Sequence, residues 1–76
     1  MTTFSDGGAD RLRKAMEVAN ITQSKLAALV GTTQPAVSQW LTGKKEPSAE
    51  NLADIAVKLR VRKEWLETGI PPMKAS

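Results

Sequence analysis

The sequence contains no cysteine, no histidine and no tyrosine, and only one phenylalanine. Without cysteine there is no disulfide, and a reducing compartment suits the chain. Without cysteine and histidine together, a zinc finger and most metal sites are excluded. No metal and no cofactor is expected. The missing histidine also removes the commonest general base. No run of about 18 apolar residues occurs, so nothing reads as a membrane span. The opening residues, MTTFSDGGAD, lack the basic-then-apolar layout of a signal peptide. At 76 residues the chain is one domain at most. A domain of that size buries only about 60% of its unfolded surface, so its core must be economical.

Catalysis finds no foothold. Gly43-Lys44 has the form of the end of a phosphate-binding loop. Lys45 follows where Ser or Thr belongs, and Ser38 stands where the earlier glycine is required. Ser24 beside Lys25 has no cleft to work in. The chain is not expected to be an enzyme.

What is present is unevenly placed. The net charge is +3. Residues 1–10 carry only Asp6 and Asp10. Residues 11–45 carry Arg11, Arg13, Lys14, Lys25, Lys44 and Lys45 against Glu17 alone. Residues 46–76 carry five charges of each sign. A basic first half joined to a neutral second half points to a polyanion-binding face built from the first half. The plainer alternative is an ordinary solvated surface.

Apolar spacing predicts five short helices and no strand. Residues 1–9, rich in Thr, Ser, Gly and Asp, read as a flexible N-terminal arm. Asp10 is the expected N-cap of a first helix. Its stripe is Leu12, Ala15, Met16 and Ala19, and Asn20 closes it in a left-handed conformation. Thr22 caps a second helix, QSKLAALV, which Gly31 ends. A third helix spans 34–42. Pro47 bars any continuation, and Ser48 caps a fourth, AENLADIAVKL, with Glu50 in its first turn. A fifth, about 62–68, ends at Gly69. Residues 71–76 read as a short tail after a domain of residues 10–70. The expected fold is an all-α compact bundle.

Helices two and three are joined by a tight, glycine-containing connection, the signal of a helix-turn-helix. In that motif the second helix enters the DNA major groove. Ala27 is the small residue expected where the two helices cross. Val37 and Trp40 face inward, which leaves Gln34, Pro35, Ser38 and Gln39 outward. A residue before proline is pushed away from helical angles. Gln34 is therefore expected to act as N-cap, with Pro35 at the first helical position. Trp40 and Trp65 read as core.

Residues 22–43, TQSKLAALVGTTQPAVSQWLTG, resemble the helix-turn-helix of lambdoid phage repressors and Cro proteins. The resemblance runs over about residues 10–70 and includes Trp65, Leu66 and Gly69 near its end. It implies a lambda-repressor-like domain that regulates transcription by binding operator DNA as a dimer, in the cytoplasm of a bacterial host. It implies that Gln34, Pro35, Ser38 and Gln39 face base edges, and that Gln23 touches a phosphate and braces Gln34. A carboxamide matches adenine N6 and N7 in the major groove. Thr22, Thr33, Lys44 and Lys45 are the expected backbone contacts. Arg11, Arg13 and Lys14 read as the exposed face of the first helix. Val61, Trp65 and Ile70 are the expected dimer contacts, although Lys63 and Glu64 are poor neighbours for such a patch. The expected partner is a double-stranded operator with approximate two-fold symmetry. Two rival readings share this domain: an antitoxin that binds both operator and toxin, and a module that binds only protein.

Overall fold

The computed structural model describes Phe4 and residues 6–75. Five helices follow in order: α1 (Gly8–Ala19), α2 (Gln23–Val30), α3 (Gln34–Thr42), α4 (Ala49–Leu59) and α5 (Lys63–Thr68). Each ends on a residue in the left-handed region, which stops propagation and lets the cap N–H satisfy a last-turn carbonyl. Three of the N-termini are closed by side chains. Thr22, Thr33 and Ser48 accept from the backbone N–H groups of Lys25, Ala36 and Asn51, satisfying donors that have no partner inside the helix.

Helical spacing gathers the core from all five helices. Leu12, Leu26, Val37, Leu52, Ile55 and Leu66 are each at most 2% exposed. Trp40 and Trp65 are buried among them, as their apolar stripes predict. Among the described residues, the backbone of α3 comes close to those of α1 and α2 and stays farther from those of α4 and α5. That arrangement holds α3 on one side of the bundle with its outer face open. No helix of the described residues is long and apolar enough to cross a membrane.

The first helix begins earlier than its expected cap. Asp10 lies inside the first turn, and Gly7, at φ 89°, is the cap residue with no side-chain hydrogen bond. The cause is Phe4, which is 1% exposed and folds beneath the helix start. Its carbonyl accepts from the Gly8 N–H. A Cβ on Gly8 would stand 2.4 to 2.7 Å from the Phe4 ring, so only glycine permits this approach. Of the arm expected over residues 1–9, Gly8 and Ala9 are helical and Phe4 is core. Residues 1–3 and 5 lie outside the described residues.

The C-terminal residues also pack. The Arg62 N–H donates to the Met73 carbonyl at 2.8 Å and the Ala75 N–H to the Arg60 carbonyl at 3.1 Å. Val61 and Lys74 thereby form an isolated antiparallel bridge. Residues 73–75 are folded back along the α4–α5 junction, and Ser76 lies outside the described residues.

Arg11, expected on a solvated face, is a tie between distant segments. Its Nε donates to the Leu66 carbonyl at 2.9 Å, Nη2 to the Glu67 carbonyl at 2.8 Å and Nη1 to the Asp6 carbonyl at 3.0 Å. A cation set on the last carbonyls of α5 is favourably placed against the helix dipole.

Candidate nucleic-acid interface

The local chemistry of residues 22–45 builds a rigid pair of helices. After Val30 the chain must turn sharply, and Gly31 does so at φ 73°. Nothing lies within 4 Å of where a Cβ on Gly31 would stand. Glycine is therefore needed there for its backbone freedom, not for space. The Thr32 N–H closes the turn onto the Ala27 carbonyl at 2.9 Å. Ala27 itself is buried at the contact, as the crossing requires.

The start of α3 differs from expectation. Thr33 is the N-cap, its hydroxyl accepting from the Ala36 N–H at 3.2 Å. Gln34 is the first helical residue, and Pro35 follows it in the first turn. A proline there costs no hydrogen bond, because first-turn N–H groups have no helical acceptor. Two things hold Gln34 in place against the pre-proline bias. One is the Thr33 cap. The other is a hydrogen bond from Gln34 Nε2 to Gln23 Oε1 at 2.7 Å.

That bond joins the first turns of α2 and α3. Both positive helix ends therefore lie together on one side, with the Thr22 and Thr33 hydroxyls beside them. Each hydroxyl uses a lone pair in capping and keeps its own O–H to donate. The glutamine bridge likewise leaves Gln34 with its Oε1 and one N–H, and leaves Gln23 with its amide donors. Gln34 and Pro35 are exposed, and Ser38 and Gln39 are half-buried. Val37, Trp40 and Leu41 hold the opposite side of α3 in the core. The outer face is polar but uncharged.

Two features fix the far end of α3. The Lys44 and Lys45 N–H groups donate to the Gln39 carbonyl at 3.0 and 3.3 Å, folding the loop back under the helix. Their side chains are exposed. Arg13 Nη2 donates to the Leu41 carbonyl at 3.1 Å. This arginine, expected from sequence on a solvated face, ties α1 to the last turn of α3. Neither its role nor that of Arg11 in joining distant segments leaves a local signal, since the partners that do so lie 28 and 55 or 56 residues away. A cleft of about 340 Å3 runs beside the pair, lined in part by Arg13, Asn20, Thr22 and Gln23.

The expected dimer contacts are not brought together on a surface. Val61 is 4% and Trp65 8% exposed, because both belong to the buried core. Ile70 stands outside at 50%. Trp65 is core, as its stripe predicts, and Val61 joins it, so of the three residues expected at a dimer contact Ile70 alone is exposed.

Comparison with known proteins bears on this geometry. The Helix-turn-helix family profile matches residues 12–66. The chain is 39% identical over 61 residues to an HTH-type transcriptional regulator for conjugative element R391 from Providencia rettgeri, covering 80% of this chain and 28% of that one. It is 38% identical over 64 residues to the HTH-type transcriptional regulator PrtR of Pseudomonas aeruginosa, covering 84% of this chain and 25% of that one. The chain thus spans about a quarter of the length of the curated relatives it matches. Among solved structures, the P22 c2 repressor protein in complex with synthetic operator 9T superposes with a TM-score of 0.77 at 31% identity. That match covers 82% of this chain and 94% of the other.

Proposed function

We propose how this chain reads DNA, from the premise that it belongs to the helix-turn-helix family of DNA-binding transcriptional regulators. The protein places α3 in the major groove of an operator, as a homodimer, in the cytoplasm of a bacterial host. Gln34 offers Oε1 to an adenine N6 amino group and its remaining N–H to N7. Gln39 reads a second base edge, Ser38 donates its hydroxyl, and Pro35 makes carbon contact with a thymine methyl. Phosphates of one strand lie across the positive ends of α2 and α3, where Thr22, Gln23 and Thr33 donate to them. Lys44 and Lys45 hold the backbone beyond the far end. Affinity then comes largely from phosphate neutralisation, and sequence choice from the face of α3. Two copies read half-sites about one helical turn, roughly 34 Å, apart.

The observation that carries this reading is the Gln34–Gln23 hydrogen bond. It pre-positions a carboxamide at the tip of an uncharged polar face, at the junction of two positive helix ends. Protein-binding surfaces favour aromatic and aliphatic anchors instead. Selection of bound sites from random duplexes tests it. An enriched motif with two-fold symmetry is expected. Absence of any enrichment would turn the reading towards a protein-binding module.

A further inference from the structure

A second surface takes none of its lining from α3. Two grooves of about 370 and 730 Å3 meet there and share Arg60, Val61 and Ala75. The first runs between the end of α1 and the folded-back tail, over Val18, Ile21, Leu59 and Met73. The second continues along α4 over Ala53, Ala56 and Val57. Large exposed apolar residues on a small protein ordinarily mark a contact surface when they cluster. Here three are exposed in all among the described residues, and two of them, Val18 at 53% and Val57 at 71%, line these grooves.

The rim is of one charge. Lys58, Arg60, Lys63 and Lys74 line the two grooves, and no carboxylate does. Lys63 is shared with Glu67 on its own helix. Lys58, Arg60 and Lys74 take part in no ion pair among the described residues. Arg60 stands where the grooves join, as the cap of α4 at φ 58°. Glycine or asparagine adopts that conformation at lower cost, yet an arginine occupies it.

We propose that this surface docks an acidic amphipathic segment of a partner protein. Its apolar side chains lie over Val18 and Val57, and its carboxylates face Lys58, Arg60 and Lys74. Helix-in-groove recognition has this form, with spaced apolar anchors between charged flanks. Charge of one sign on the groove selects the partner and steers its approach. Because no residue of α3 lines either groove, such a partner and an operator can be held at the same time. A regulator gains from this a means of bringing a second protein to the site it occupies.

The test is an amide chemical-shift titration of the isotopically labelled chain. The probes are a panel of synthetic helical peptides with leucines at three- and four-residue spacing and glutamates between them. A matched panel carries glutamine for glutamate. Saturable shifts at Val18, Val57, Arg60, Val61 and Lys74 are expected from at least one acidic peptide. The glutamine version and the exposed double variant Lys58→Glu, Lys74→Glu should each bind about tenfold more weakly. A random-sequence duplex should leave these amides unshifted. Four results overturn the proposal: no saturable shift at this face, equal binding of glutamate and glutamine peptides, shifts here from the duplex, or shifts that follow dilution of the chain alone. The third would make the surface a DNA contact, and the fourth a contact between copies.

Discussion

The α2–α3 and α4–α5 pairs are built alike and finished differently. Each joins two helices through one left-handed residue, Gly31 at φ 73° and Arg60 at φ 58°. Each buries a tryptophan from its second helix. Their outer faces diverge. The second helix of the first pair carries Gln34, Ser38 and Gln39, with no charge between its cap and Gly43. The second helix of the other pair carries Lys63, Glu64 and Glu67, engaged with one another or with Arg62. Hydrogen-bonding groups left unpaired on α3 are available to base edges. Ion pairs on α5 satisfy each other at the surface, where each is worth little beyond solubility. The same architecture therefore gives one pair that can read and one that supports.

The largest effect expected from breaking this comparison lies in its shared feature. Trp40→Ala and Trp65→Ala should each cost about 3–5 kcal/mol in urea melts, because both remove a buried indole from a packed core. A small loss at Trp65, dependent on protein concentration, would return it to the dimer surface. Next comes the difference between the faces. Gln39→Ala should weaken a selected operator by on the order of 1–3 kcal/mol and relax choice at one base pair. Equal weakening on random duplexes would remove its base-reading role.

The two hinge residues should respond with opposite signs. Gly31→Ala is expected to destabilise by about 1 kcal/mol, since a Cβ there meets open space but an unfavourable backbone angle. Arg60→Gly should be neutral or stabilising by up to about 1 kcal/mol for the converse reason. Thermal melts of both would settle the sign. The smallest effect belongs to the loop after α3. Replacing Lys44 and Lys45 with alanine should weaken binding to all duplexes and flatten the salt dependence by about one unit for each phosphate no longer neutralised. An unchanged slope would place both lysines outside the interface.

How much of this is legible in the sequence follows from the range of each interaction. Caps at Thr22 and Ser48, glycines at helix ends and the inward positions of Val37 and Trp40 are local matters of spacing and hydrogen-bond chemistry. They read correctly from the chain. The cap of α3 falls one residue earlier than the pre-proline bias predicts, because that bias takes no account of the Gln34–Gln23 bond that opposes it. Phe4, Arg11 and Arg13 read from sequence as arm or surface. Their partners are a glycine with no side chain to announce it and backbone carbonyls, all but that of Asp6 far along the sequence. Carbonyls carry no residue identity, so no pattern could flag them. Val61 is a related case. It is apolar near the end of the domain, and only the packing of α5 and residues 73–75 buries it, whereas Trp65 reads as core from its own stripe.

The central claim is that the α2–α3 pair, and not the α4–α5 pair, meets DNA. Amide chemical shifts of the labelled chain on adding a selected operator duplex test it directly. The expected perturbations fall on residues 22–45, greatest at Gln23, Gln34, Ser38 and Gln39, with α4 and α5 nearly silent. Perturbations centred on Val57, Arg60 and Lys74 instead would contradict it.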